Sequence, residues 1–358
     1  MRQYKIGILK IPEQLLGKIL YDLNTDNIEE LEFYMKKILE MEEWKKIIKK
    51  DSVICMKVNA CHYEYYPGIT NNLNVIYTIV SLLRDRVREV IIGESDLQRY
   101  DGMDALVGCG IKVAAEKAGA KVINFSKDDF IDVNINGKIL KKMKMPETLV
   151  EADHFITIPL PKTHKLTTVS IGLKNQFGCI PRYDRLVYHK YLSDVLTDIN
   201  DFLKPSIVIT DGIVALEGDG PIAGVPKKLG ILIASNNVLA NDMVATEIMG
   251  FDWREIDHIR KAAERGIGPS SINEIEIVDE DLNSVKTVFE PPANDFISNG
   301  ERWLLKHTLL SKIVYLSPLF TTMKRTAWTI RKISGYREDY EKDERMRELW
   351  GENYKKLI

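Results

Sequence analysis

The chain has few cysteines and no metal-binding spacing among them. Cys55, Cys61, Cys109 and Cys179 form no CxxC pair, which argues against an iron–sulfur cluster held by this chain alone. They supply no disulfide framework either, so a reducing, cytoplasmic compartment is expected. No run of about 20 apolar residues is present, so no segment reads as a membrane-spanning helix. The opening MRQYKIGILKIPEQ lacks the long apolar core of a secretory signal. Net charge is only −2, so no global field draws the chain to nucleic acid. No glycine-rich fingerprint opens a helix and no Walker lysine occurs, which leaves ATP or NAD use without support.

What is present reads as an ordinary globular protein of 358 residues, enough for one large domain or two. Apolar runs and helical periodicity alternate. Strands are predicted at residues 4–10, 52–58, 89–92, 121–125, 153–159, 206–210, 228–235 and 274–278. Helices are predicted at 27–49 with Asp26 as its cap, then at 73–84, 104–118, 191–203, 241–249 and 253–265. Asn136-Gly137 between apolar residues marks a hairpin. The β-α-β-α-β order predicts an α/β fold with mostly parallel, doubly wound sheet or sheets flanked by helices. Residues 1–50 are expected to pack a strand and helix on the core. Residues 51–290 form the α/β domain, in one lobe or two, and 291–358 form a basic helical extension.

That extension is the most cationic part of the chain. Residues 301–334 hold seven lysines and arginines against Glu301 alone. Its apolar stretch at 313–320 is too short to span a bilayer and contains Pro318. The plain expectation is a helical appendage. The sharper one is an amphipathic segment on an anionic membrane surface, or a contact for a redox protein.

Chemistry concentrates in residues 158–181, IPLPKTHKLTTVSIGLKNQFGCIP. A surface loop rarely carries so much apolar spacing, and a core rarely carries so many cations, so a pocket wall is expected. Lys162, His164 and Lys174 are the candidate catalytic residues. His164 lies between Lys162 and Lys165, which should keep its imidazole neutral and able to serve as a base. In open α/β sheets ligands bind beyond the carboxyl ends of strands, and four predicted strands end in unusual polar groups. Lys57 and Asn59, Glu94 and Ser95, and Asp211 supply three of them. Lys57 sits inside an apolar run, so Glu94, Asp211 or an anionic ligand should offset its buried charge. Asp242 is expected to complement its own helix's dipole.

Thr70, Thr168, Asn175 and His189 complete the expected substrate contacts, with His62 as a weaker histidine. Thr70 or Asn71 could cap the helix at 73–84, whose N-terminus could take an anion. Gly218 and Gly220 would let backbone approach the ligand. Asp211 and Glu217 are the candidate ligands for a divalent ion.

These motifs together resemble the family called domain of unknown function 362. The resemblance rests on Ala152-Asp153-His154, on Pro159-Leu160-Pro161-Lys162-Thr163-His164, on Leu173-Lys174-Asn175-Gln176-Phe177-Gly178, and on His189. Met56-Lys57-Val58-Asn59 resembles the family's lysine–proline–asparagine strand end, with Val58 in place of the proline. The resemblance covers about residues 52 to 280. Some similar proteins carry an appended ferredoxin-like module with four-cysteine motifs, which this chain lacks. Three functions are therefore expected in order. The first is an enzyme binding a small carboxylate or phosphate in a Lys/His/Asp-lined cleft. The second is an iron–sulfur-linked redox or cofactor-binding partner, its cluster supplied from outside. The third is an accessory protein at the membrane surface.

Overall fold

The computed structural model describes residues 4–20, 23–41, 43–97, 101–181, 185, 187–294, 299, 300 and 303. Twelve strands are formed among them: β1 (Tyr4–Lys10), β2 (Val53–Lys57), β3 (Glu89–Glu94), β4 (Lys121–Asn124), β5 (Phe130–Asn134), β6 (Lys142–Pro146), β7 (His154–Thr157), β8 (Lys162–His164), β9 (Thr168–Ser170), β10 (Ile207–Asp219), β11 (Ala223–Ser235) and β12 (Ile275–Asp279). Ten of them make one sheet in the order β12-β1-β11-β10-β7-β2-β3-β4, with β8 on β10 and β9 on β8. The run β10-β7-β2-β3-β4 is parallel throughout. Along the main path β11 alone runs antiparallel to its neighbours, β10 and β1.

Alternation along each strand divides the side chains between two covered faces. Ile54, Met56, Ile156 and Ile209 face the helices Ile28–Met41 and Leu73–Arg84. Cys55 and Phe155 face the other way, onto the helix Leu192–Leu203 and the β5–β6 hairpin. Further along, Ile6, Ile8, Val208 and Ile233 meet the helices Val238–Ile248 and Asp257–Arg265. Lys57 has the parity of Cys55, so it points to the face crossed by the segment 172–179.

Several elements depart from the sequence reading. The first strand and helix are not merely packed on the core: β1 is inserted in the sheet between β11 and β12. Asp26 is not a cap; the Asn24 side chain accepts from the Asp26 N–H at 3.1 Å. The helices expected at 27–49 and 104–118 are each broken in two. The glycine-rich segment after Asp211 extends the strand expected at 206–210. It continues β10 to Asp219, because Ile213, Val214 and Ala215 keep finding apolar cover on the two faces. The Asn136-Gly137 hairpin forms as β5–β6. Asp198 holds its loop by accepting from the N–H groups of Lys138, Ile139 and Leu140 at 2.8, 2.6 and 2.8 Å. Residues 304–358, and with them nearly all of the basic segment 301–334, lie outside the described residues.

Candidate functional site

From β2 the chain winds outward through β3 to β4, then returns to place β7 on the opposite side of β2. The β2–β7 boundary is thus a point where strand order reverses, the position at which open α/β sheets bind ligands. Lys57 ends β2 and Thr157 ends β7. Lys57 is 1% exposed, and its ammonium donates to Glu94 Oε2 at 2.7 Å and to the Val58 carbonyl at 2.6 Å. Glu94 also accepts from the N–H groups of Ala60 (3.3 Å) and Ser95 (2.9 Å). Ser95 donates its hydroxyl to the Gly178 carbonyl. Gly178 has to be small: a Cβ there would lie 2.7 Å from Lys57 Cε and 2.9 Å from Glu94 Oε1. The pair is closed over by backbone.

A polar chain continues from this pair across the strand ends. Asn175 Nδ2 donates to Thr157 Oγ1 at 2.9 Å, and Asn175 Oδ1 accepts from Asn59 Nδ2 at 3.1 Å. Asn59 Oδ1 accepts from Lys162 Nζ at 2.7 Å, and the same ammonium donates to the Ile69 carbonyl at 2.5 Å. Cys61 Sγ lies 3.8 Å from that nitrogen. Burial pushes the Lys162 pKa below the ordinary lysine value. Lys162 therefore organises the loop 59–70 from within, rather than facing outward.

Lys174 differs from both lysines. It sits on the short helix Gly172–Asn175, half-buried, with its ammonium 4.7 Å from the centre of the Phe177 ring. It has no hydrogen-bond or carboxylate partner among the described residues. Burial first, then the charges of Arg185, Lys57 and Lys162, bring its pKa down to about 8 against a partial counter-effect of Cys61. The helix is fixed by Asp242, whose carboxylate accepts from the N–H groups of Gly172 and Leu173, both at 2.8 Å. Asp242 thus serves another helix's first turn, not its own. Burial raises its carboxyl to about 7 against the pull of these donors.

His164, at the end of β8, is held far below the usual imidazole value by burial first and then by Lys174, His189, His258 and Lys162. Its Nδ1 accepts from the Leu166 N–H at 3.0 Å, so the proton of the neutral ring is on Nε2. The expected general base is therefore a neutral donor in this arrangement; baring Nε2 would turn an Nδ1–H against the Leu166 N–H. His189 meets the Phe177 ring edge to face at 5.5 Å. Lys174, Phe177 and His189 are thus brought together, with His164 within reach of the charges of Lys174 and His189.

Other expected site residues serve the scaffold. Asp211 Oδ2 accepts from the Asn72 N–H at 2.7 Å and from Asn71 Nδ2 at 3.2 Å, and burial raises its pKa. Asn72, rather than Thr70 or Asn71, caps Leu73–Arg84, so that helix end is already occupied. Thr70 is buried and bonds to the Tyr66 carbonyl at 3.4 Å. Glu217 pairs with Lys227 at 2.8 Å. Asp211 and Glu217 are six residue steps apart along β10, about 20 Å of extended strand, so one ion cannot bridge them. Among the described residues no group of three or more His, Cys, Asp or Glu is placed to hold a metal ion. Gly218 and Gly220 approach β8 rather than a ligand: Thr163 Oγ1 donates to the Gly218 carbonyl at 2.7 Å, and a Cβ on Gly220 would lie 1.9 Å from the Thr163 carbonyl oxygen. Thr168 is exposed on β9 at a φ of +62°, a strained conformation for a β-branched residue. A recess beside Asp211, lined by Tyr65, Thr70, Asn72 and Leu160, is too narrow for a water molecule, and neither Lys174 nor His164 lines it.

Three participants were not singled out as contacts from sequence: Thr157, Gln176 and Asn200. Gln176 links Thr157 to Asn200 at 3.0 and 2.9 Å. Asn200 had a signal, as a polar residue on the buried stripe of Val195, Leu196 and Ile199.

A model of the family described as Domain of unknown function (DUF362) matches residues 7–247. The match reaches back to β1, as its place inside the sheet requires, and stops before β12, short of the expected limit near residue 280. A thylakoid-associated protein of Synechocystis sp. is 31% identical over 136 residues, which are 36% of this chain and 42% of that protein. The chain thus spans less than half the length of that relative. Among solved structures, the lactate racemase apoprotein from Thermoanaerobacterium thermosaccharolyticum aligns with a TM-score of 0.35 and 10% identity, covering 60% of this chain and 51% of that one. A Thermotoga maritima protein aligns with a TM-score of 0.36 and 14% identity, covering 57% and 54%. No helix among the described residues is long and apolar enough to cross a membrane. With a match that takes in the sheet from β1 to β11 and the polar strand ends between them, the chain belongs to the DUF362 family.

Proposed function

We propose that the protein is an enzyme that binds a small anionic substrate, a carboxylate or phosphate, beside Lys174 at the reversal point of the sheet. One observation carries this reading. Of the three lysines Lys57, Lys162 and Lys174, the first two are occupied by internal oxygens, while Lys174, on its short helix, has none among the described residues. A half-buried ammonium without a counter-charge is a seat for an anion. Lys174 supplies the charge, the His164 Nε2–H a neutral donor, and Phe177 an apolar wall. The Lys57–Glu94 pair and the Asn59–Asn175 bridge keep that geometry rigid. A bound carbonyl or phosphoryl oxygen would be polarised by Lys174 and His164 together.

Anion binding then depends on pH in a defined direction. The ammonium binds and the amine does not, so affinity is full well below about 8 and falls as pH rises through that value. Above it the loss approaches about tenfold per pH unit. Calorimetric titration with sulfate and acetate, whose charges are constant across this window, measures the effect. Lys174→Met should remove binding at every pH. Undiminished binding by that variant would refute the reading.

A second reading concerns location. The relative is named for its thylakoid association, and residues 301–334 carry seven cations against one glutamate. We infer that the protein docks peripherally on anionic membranes through this segment. Flotation with phosphatidylserine vesicles should carry the full chain, weaken with salt, and fail after deletion of residues 301–358. Equal flotation of both proteins would rule this out.

A further inference from the structure

The sequence Ile171-Gly172-Leu173-Lys174-Asn175 sets one lysine between residues with fixed places. Leu173 is buried in an apolar cluster, and Asn175 is tied to Thr157 and Asn59. The base of the Lys174 side chain is therefore anchored, while its nitrogen is left without an internal acceptor. That nitrogen lies 4.7 Å from the centre of the Phe177 ring and meets no oxygen among the described residues. Lys57 and Lys162 are the contrast. Each is 1% exposed and commits its ammonium hydrogens to internal oxygens, so neither has a lone pair to offer. Lys174 is only half-buried, so part of it stays open to solvent. As an ammonium such a lysine attracts an anion. As a free amine it is a nucleophile for a carbonyl carbon, and that form is released where the lysine is desolvated or stands near other cations. Both conditions hold here. Burial is the larger cause, and Arg185, Lys57 and Lys162 add to it against the opposing effect of Cys61, leaving the pKa at about 8. An ordinary lysine is only about one part in a thousand unprotonated near pH 7.5.

We propose that Lys174 is a nucleophile that condenses with the carbonyl group of a small 2-oxo acid to form an imine. The inference rests on the anion reading above and names its substrate class. The amine nitrogen forms a bond to the carbonyl carbon. The carbonyl oxygen takes up two protons and leaves as water, and a C=N bond remains. Taken from the ammonium and the ketone, the products are the protonated imine and water. The step therefore needs no oxidant or reductant, and the positive charge stays on the nitrogen. That charge decides the substrate class. A carboxylate on the adjacent carbon lies beside the protonated imine and provides the counter-charge that the described residues do not. The imine in turn acidifies the C–H bonds on the other side of the former carbonyl carbon, so the chemistry it opens is proton removal at that position.

Pyruvate with sodium cyanoborohydride tests this on the full wild-type chain. Reduction fixes an imine as a stable secondary amine, which peptide mass spectrometry locates and quantifies at every lysine. Near pH 7.5 Lys174 should be modified at least about tenfold faster than the exposed lysines, since its free-amine fraction is roughly two orders of magnitude larger and its lower basicity offsets only part of that. The lead should hold below about pH 8 and shrink above it, and sulfate should reduce it. Acetone has the carbonyl and lacks the carboxylate. The preference for pyruvate over acetone should be about tenfold greater at Lys174 than at the exposed lysines. Sulfate binding without selective modification of Lys174 overturns the imine and leaves the anion reading standing. Selective modification by pyruvate and acetone alike, with no sulfate binding, keeps the nucleophile and removes both the anion reading and the oxo-acid assignment. Neither sulfate binding nor selective modification sinks both.

Discussion

Glu94→Leu should cost about 3–5 kcal/mol of folding stability, the penalty for leaving one member of a buried ion pair without its partner. The side chains of Lys57 and Glu94 are 2% and 4% exposed, so solvent cannot replace what is removed. The two single substitutions are not equivalent. Without Lys57, the Glu94 carboxylate still accepts from the N–H groups of Ala60 and Ser95. Without Glu94, the Lys57 ammonium keeps only the Val58 carbonyl. Lys57→Met should therefore be the milder change. The double variant should recover most of the loss, because apolar replacement of a whole buried pair is often neutral. Urea denaturation of the three variants reads this directly. Additive losses in the double variant would show that the pair is not coupled as the geometry requires.

The second large effect is expected at Asp242, which touches no proposed ligand. Asp242→Ala leaves the buried N–H groups of Gly172 and Leu173 unpaired, at about 1–3 kcal/mol each, and frees the helix that carries Lys174. Asp242→Asn retains one acceptor and should lose about half as much. The pH dependence separates the two contributions. A carboxyl raised to about 7 in the folded protein, against an unfolded value near 3.8, binds its proton more tightly when folded. Its contribution is therefore present in acid and is lost as pH rises through that interval. Asp242→Asn should remove that slope from the stability–pH curve. It should also weaken sulfate binding, by loosening the position of Lys174 rather than by changing its charge. A wild-type slope retained in Asp242→Asn would refute the assignment.

The sequence carried the fold further than the site. Apolar runs at 52–58 and 206–210 and the helix at 73–84 follow from local periodicity, which long-range contacts reinforce rather than oppose. The strand expected at 206–210 runs on past Gly212 to Asp219, because the apolar run 213–216 between the glycines finds cover. At the site, Lys57 inside an apolar run announced that a partner was needed, and Glu94 was among the three partners considered. Which one it is depends on the adjacency of β2 and β3. Lys162 and Lys174 look alike in sequence. They differ because Asn59 and the Ile69 carbonyl, about a hundred residues away, reach only the first. The link from Asp242 to Gly172 crosses 70 residues, beyond any local pattern.

Lys174 can seat an anion at the strand ends only as an unpaired amine with a depressed pKa. Reductive methylation with carbon-13 label, with Lys174→Arg identifying the resonance, allows this amine to be titrated by NMR. The expected midpoint is about 8, moving upward when sulfate is added. A midpoint at the ordinary lysine value of 10.5, unmoved by sulfate, would contradict it.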